Sequence, residues 1–214
     1  MIKQKVGDRI VFGNYEWRIL DIQNSKALLI SECILEQRSY HEEYVDITWT
    51  KSSMRKYLNS GFYDQFTKEE KDCILLTYNQ NLDNQWYGTN GGEDTNDYFF
   101  LLSLDEVCTY FGDSRSKLYQ KGKNQRYWFE RQDENNEKRI ARLAGKNGAW
   151  WWWLRSPGRV SVKAVYIFGT DGNIGIQGNN IFKGNLSDGW CTGGMRPAMW
   201  MPIMKMVDFI SLHG

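Results

Sequence analysis

Few side chains in this sequence are both chemically reactive and placed where they could work together. His41 and His213 are the two histidines. His213 is penultimate, where chain ends fray. His41 lies in Ser39-Tyr40-His41-Glu42-Glu43, a setting suited to packing or to the surface. Cys33, Cys73, Cys108 and Cys191 are widely spaced and form no C-x-x-C pair, so neither a zinc framework nor a redox dithiol is indicated. The first three sit beside apolar residues, where a reduced, buried thiol is the default. No G-x-S-x-G elbow, phosphate-cradling glycine loop or H-E-x-x-H helix occurs. A non-enzymatic role is therefore expected. The alternatives are an enzyme using carboxylates in a cleft near residues 79–97, and a structural or assembly protein of a phage particle.

Oxygen ligands do cluster in Gly92-Glu93-Asp94-Thr95-Asn96-Asp97. Glu93, Asp94 and Asp97 could hold Ca²⁺, but the spacing is not that of an EF-hand, and loops of this composition ordinarily serve turns. No cofactor is expected. Arg155 and Arg196 sit at strongly apolar strands and invite two readings. Each is an anion clamp, or each pairs with a carboxylate or caps carbonyls, because a buried guanidinium must be satisfied. The second is preferred, since both lie in what reads as core scaffolding. Arg115, Lys117, Lys121, Lys123 and Arg126 precede Tyr127-Trp128-Phe129, a mixture that could stack on and neutralise a nucleic-acid strand. Glu130, Asp133, Glu134 and Glu137 follow at once, and the net charge of +1 exerts no pull toward nucleic acid or an acidic membrane. Neither partner is expected.

Recognition is better supplied near the C-terminus. Val162 to Thr170 and Asn173 to Gln177 flank Asp171-Gly172, a strong hairpin signal. A two-residue turn there opposes Thr170 to Asn173, Phe168 to Gly175 and Tyr166 to Gln177. Val165, Ile167, Ile174 and Ile176 then form an aliphatic face for the core. Tyr166, Phe168, Asn173 and Gln177 form the other, an aromatic-plus-amide mixture suited to binding. Asn179 and Asn180 continue that polar character into the next loop, with Lys183, Asn185, Ser187 and Asp188 beyond.

Such a face needs a rigid support, and Trp150-Trp151-Trp152-Trp153 provides the strongest candidate. Side chains on a strand alternate, so four indoles predict a central strand covered on both faces. Each buries on the order of 150–250 Å², worth about 4–6 kcal/mol gross as an upper bound. Gly193 to Trp200 is expected in the same sheet, bulged or at an edge where Pro197 lacks an N–H. At the N-terminus, Arg9–Gly13, Tyr15–Asp21 and Ala27–Ser31 read as a three-stranded meander. Thr50–Leu58 reads as a helix stopped by Asn59-Ser60-Gly61. Thr67-Lys68-Glu69-Glu70 and Ser103-Leu104-Asp105-Glu106 are capping boxes. Asn79–Asp97 is a long loop pinned by Trp86-Tyr87. Helices enclosed by strands at both ends predict one α+β domain over 1–214, with an insertion at 113–149 and a tail at 202–214. Met1 to Asp8 lacks the apolar core of a signal peptide. The expected location is the cytoplasm as synthesised, with association with a virion as the alternative.

The pieces Gly7-Asp8, Phe12-Gly13, Tyr15-Glu16-Trp17-Arg18-Ile19-Leu20, Trp86-Tyr87-Gly88, Phe100-Leu101-Leu102-Ser103, Trp152-Trp153-Leu154-Arg155-Ser156-Pro157-Gly158 and Gly194-Met195-Arg196-Pro197-Ala198 carry a resemblance. Together they resemble a poorly characterised bacterial domain family, itself similar to C-type-lectin-like domains of the formylglycine-generating-enzyme type. The resemblance implies mostly antiparallel sheets with two to four short helices, and framework strands displaying a variable surface near the C-terminus. Some proteins of that fold are variable proteins of diversity-generating retroelements. By that resemblance the stretch from Arg159 to Trp190 is the display region, adding Arg159, Ser161, Lys163 and Trp190 to the expected contacts. The ligand is then a protein or a glycan. The chain lacks the Glu-Pro-Asn or Gln-Pro-Asp calcium triplet of sugar-binding lectins, and no cysteine pair stands out as the oxidase site.

Overall fold

Three antiparallel strands form where expected in the first thirty residues, β1 (Arg9–Phe12) with alternating burial, β2 (Tyr15–Gln23) alternating in its first half, and β3 (Lys26–Ser31) buried from Ala27 onward. Asn24 and Ser25 join the last two at φ 47° and 64°, the paired positive φ of a type I′ turn. The structure is a computed structural model and describes residues 4–113, 116–121, 133–182 and 192–210.

A short strand β4 (Glu36–Gln37) leads to helix α1 (Ser53–Tyr57), whose Ser52 side chain accepts from the Arg55 amide at 3.1 Å. Asn59-Ser60-Gly61 does not stop this helix but widens it into a π turn over Leu58–Phe62. Asn59 is the cause: Nδ2 reaches the Arg55 and Phe99 carbonyls at 3.1 and 2.9 Å, and Oδ1 accepts from the Tyr98 amide at 2.7 Å. Both capping boxes form, opening α2 (Lys68–Lys71) and, after the hairpin β5 (Thr77–Asn79) and β6 (Thr95–Asp97), α3 (Leu104–Phe111). Beyond lie α4 (Glu134–Arg139), β7 (Ala141–Arg142) and β8 (Ala149–Trp150). The remaining elements are β9 (Trp152–Pro157), β10 (Lys163–Ile167), β11 (Ile174–Asn180), β12 (Gly194–Met195), β13 (Ala198–Pro202) and α5 (Ile203–Ile210). The result is α+β, with five short α-helices among the described residues where two to four were expected.

Two sheets share the core. One has the order β1-β2-β3-β13, the other β11-β10-β9-β12-β4. Every named pairing is antiparallel except β12 beside β9. The tryptophan run divides between elements: Trp150 closes the small β7–β8 hairpin, and β9 begins at Trp152, all six of its residues buried. Trp152 and Trp153 point to opposite faces and are wholly enclosed, while Trp150 and Trp151 stay half-buried. So the doubly covered central strand exists, but two indoles define it rather than four.

The Gly-Met-Arg-Pro-Ala segment also divides. Gly194 pairs with Trp152 in the five-stranded sheet, whereas Ala198 pairs with Ile30 in the four-stranded one. Arg196-Pro197 is the crossing, which resolves the missing proline N–H without a bulge. The C-terminal residues described continue as β13 and then α5, whose Met206 is buried. No helix among the described residues is long and apolar enough to cross a membrane.

Candidate functional site

The β10–β11 hairpin differs from expectation in register and agrees in facing. Tyr166 opposes Gly175 and Ile167 opposes Ile174, two residues away from the predicted pairing. The Phe168 amide donates to the Asn173 carbonyl at 2.8 Å and the Gly172 amide to the Phe168 carbonyl at 3.1 Å, so the loop is four residues, Gly169–Gly172. A bulge between Ala164 and Tyr166 restores the register toward Asn179 and Asn180. A shift of two keeps each side chain on its own face. Val165, Ile167, Ile174 and Ile176 are accordingly buried in the core.

The longer loop has a tertiary origin. Its tip lies against α4: Asn136 Nδ2 donates to the Asp171 carbonyl at 3.1 Å and to Asn173 Oδ1 at 3.0 Å. Gly172 sits at φ +63°, and a Cβ there would lie 1.9 Å from the Asn136 carbonyl oxygen. Both strain and a backbone clash oppose any side chain. Gly172→Ala is expected to cost about 2–4 kcal/mol, read as a shift of the urea midpoint. A cost under about 0.5 kcal/mol, the range of an innocuous surface change, would mean that the tip does not dock on α4.

On the outer face the expected contacts separate. Tyr166 is 8% exposed, edge-on to Trp151 at 5.3 Å and tilted against Phe168 at 4.7 Å, with its ring over Gly175. Asn173 is buried by its bond to Asn136, and Asn180 is buried with Oδ1 accepting from the Phe182 amide at 3.0 Å. These three are corrections: they brace the face rather than present themselves on it. Phe168, Gln177 and Asn179 remain half-buried, Lys163 and Ser161 likewise, and Arg159 is exposed. The Arg159 amide donates to the Gln177 carbonyl at 2.7 Å, which brings the 159–163 turn beside the far end of β11. Trp190 and the 183–188 stretch lie outside the described residues.

The support behind this face is aromatic and continuous. Trp151 packs on Trp153 at 4.7 Å, Trp153 on Tyr40 at 5.9 Å, and Tyr40 on Trp49 at 6.1 Å. Tyr40 is fully enclosed, which raises its phenol pKa despite the nearby Arg155 charge. Beside the 159–163 turn, Asp46, Thr48, Lys51, Thr89, Asn90 and Ser161 line a cleft of about 330 Å³. Ser161 donates to Asp46, the Thr89 hydroxyl donates to the Arg159 carbonyl at 2.8 Å, and the Arg159 guanidinium lies 5.7 Å from the Tyr87 ring. Only Arg159 and Ser161 of this group were anticipated, because its other members come from distant loops without a shared spacing.

Of the carboxylates suggested for calcium or catalysis, Asp94 and Asp97 face protein donors. Asp97 is fully buried and accepts from Arg55 Nε at 2.6 Å, Trp49 Nε1 at 3.1 Å, Thr95 Oγ1 at 2.7 Å and Asn79 Nδ2 at 3.0 Å. Asp94 accepts from Tyr78 and from the Asn81 amide; the tyrosine first and the amide second hold its carboxyl below the usual range. Glu93 contributes its backbone carbonyl to Thr50 and Asn81. Among the described residues no group of three or more His, Cys, Asp or Glu is placed to hold a metal ion. His41 Nδ1 accepts from the Ser53 amide at 3.1 Å and lies 2.9 Å from Ser53 Oγ, which ties it to the start of α1. His213, Cys191, Arg115, Lys123, Arg126 and Tyr127-Trp128-Phe129 lie outside the described residues. Burial raises the Cys108 thiol far above its ordinary value, as expected of an inert thiol.

The two arginines behave differently. Arg155 is fully matched: it grips Glu106 with both Nη atoms and donates to the Leu101 carbonyl at 2.8 Å, the Gln80 carbonyl at 3.2 Å and Asn81 Oδ1 at 3.1 Å. Arg196 caps the Ser31 and Glu32 carbonyls at 3.0 and 3.3 Å and stacks on Trp152.

The fold and site therefore define an α+β protein of mainly antiparallel sheets, with a braced aromatic face on the larger one. A family described as a domain of unknown function (DUF6273) matches residues 24–203, and the chain belongs to it. No curated protein and no solved structure matches the chain.

Proposed function

We propose that this chain is a non-enzymatic ligand-binding module whose recognition surface lies on the outer face of β10–β11 and the adjoining 159–163 turn. One observation carries the reading. Half-buried Trp151 and Phe168 flank the enclosed Tyr166 on a sheet whose opposite side is sealed by Val165, Ile167, Ile174 and Ile176. Rigid aromatics with neighbouring amides give a binding surface that orders little on association. The contacts are Trp151, Phe168, Gln177 and Asn179, with Arg159, Ser161 and Lys163 beside them. Tyr166, Asn173 and Asn180 hold them in place. In its finer form the reading is a C-type-lectin-like fold serving as a retroelement variable protein. The ligand is a protein or a glycan, and positions between Arg159 and Trp190 differ among sister genes.

The test is a glycan array run beside a panel of purified bacterial surface proteins, probing wild type, Phe168→Ala, Gln177→Ala and Arg159→Ala. Any partner of the wild type is expected to lose at least about tenfold in affinity with Phe168→Ala, a central aromatic. Far-UV circular dichroism should stay that of wild type. Unchanged binding by all three variants overturns the assignment of this face.

A further inference from the structure

A second concavity, of about 410 Å³, opens where β2, α3 and α4 converge. Leu20, Phe111 and Ile140 give it apolar walls, and Arg18, Lys138 and Arg196 bring positive charge to it. Its acids are Glu32 and Glu137. Glu32 is already committed. Arg18 grips it through Nε at 2.7 Å and Nη2 at 2.5 Å, and Arg9 approaches at 3.1 Å. Burial alone would raise the Glu32 carboxyl, but these cations together with Arg196 outweigh it and hold its pKa below the usual value. Among the residues that line the cleft, Arg18, Lys138 and Arg196 stand against Glu32 and Glu137, so one positive charge is left over.

Arg196 is 3% exposed. Two of its nitrogens reach carbonyls, and Nη1 has no hydrogen-bond partner among the described residues. The guanidinium lies 4.9 Å from the Trp152 ring and 5.9 Å from Phe111, in surroundings of low dielectric. Burial pulls its pKa down to about 10, against the opposing pull of Glu32. Arg155 has the bidentate carboxylate that Arg196 lacks. Nη1 is out of contact with solvent, so water does not complete it either. A negative charge in the adjoining cleft compensates such a cation through the poorly screening interior, even before any direct bond forms.

We infer that this cleft binds a small organic carboxylate with an apolar body. The volume falls within the range of small-ligand sites, about 300–1,000 Å³. The single surplus charge suits a monoanion better than a phosphate. The carboxylate lies among Arg18, Lys138 and Arg196, and the ring or chain rests on Leu20, Phe111 and Ile140. This site is separate from the β10–β11 face and does not depend on the reading given to it.

Calorimetric titration of the full chain with benzoate, phenylacetate, indole-3-acetate and hexanoate tests the inference, with phenylacetamide and inorganic phosphate as controls. At least one carboxylate is expected to bind about tenfold or more tightly than either control, the worth of one charge-assisted contact. Lys138→Glu, at an exposed position, should weaken that carboxylate by about tenfold or more with the melting temperature unchanged. Ile140→Trp should remove binding by filling the cleft. The inference is overturned if no carboxylate binds at millimolar concentration, if phosphate or the amide binds equally well, or if both variants bind as wild type does.

Discussion

Trp152→Ala is expected to lower the unfolding free energy by about 3–5 kcal/mol, a large share of the roughly 5–15 kcal/mol of a typical domain. Three losses coincide at this position. The indole is fully enclosed at the centre of the larger sheet, between β10 and β12, so truncation leaves a cavity that its strand neighbours cannot collapse into. Its Nε1 donates to the Arg139 carbonyl at 3.0 Å, a buried acceptor that becomes unpaired. Its ring is also the nearer of the two aromatic rings beside the Arg196 guanidinium, at 4.9 Å against 5.9 Å for Phe111. Trp152→Phe separates these effects, because it keeps most of the ring while orphaning the Arg139 carbonyl, and it should cost about 1–3 kcal/mol. Urea unfolding followed by far-UV circular dichroism measures both without relying on the altered fluorophore. An alanine variant within about 1 kcal/mol of wild type, near the middle of ordinary substitutions, would mean that Trp152 is not the centre of the packing.

How much of this could be read beforehand depended on the range of the interactions. Elements set by neighbouring residues were legible. The alternation of β1, the short apolar runs of β2 and β3 bounded by turn residues, and the serine and threonine caps answered by Glu70 and Glu106 use signals within a few positions. The inward aliphatic face of β10–β11 was legible for the same reason, since parity survives a register shift of two. The register itself was not. Asp171-Gly172 is a strong local turn signal, but Asn136, thirty-five positions away from Asp171, holds the loop open at four residues. Likewise Asn59 reads as a helix stop until the backbone at Tyr98 and Phe99 is brought to it. Tyr166 and Asn173 read as open to solvent, because their covers, Trp151 and Asn136, come from other parts of the chain. The cleft around Arg196 had no legible signal. Arg18, Glu32, Lys138 and Arg196 share no spacing, and only the folding of β2 against α4 and the β12–β13 crossing assembles them.

Arg155→Met is the companion prediction, with an expected loss of about 3–5 kcal/mol from breaking a buried pair on one side. The guanidinium holds four things at once: the Glu106 carboxylate, the Leu101 and Gln80 carbonyls, and Asn81 Oδ1. Methionine fills much of the volume and none of the bonds, so the carbonyls remain buried without donors. Arg155→Lys should recover little, because one ammonium cannot reproduce a fork aimed at acceptors in several directions. Glu106→Gln should cost less than Arg155→Met. Its side chain is 26% exposed, so water can reach it, and an amide oxygen can still accept from the Ser103 amide in the capping box. The double variant should cost less than the sum of the singles, since each partner removed takes with it the penalty on the other. The consequence reaches beyond stability. Arg155 ties β9 to the start of α3, to the Gln80 carbonyl and to the Asn81 side chain, and Asn84 in the same loop holds the Pro157 and Ile176 carbonyls. Hydrogen exchange in the Arg155→Met variant should therefore quicken first across residues 79–91 and along β11. If exchange there matches wild type while α3 alone loosens, Arg155 anchors only the helix, and the loop is held by Asn84 without it.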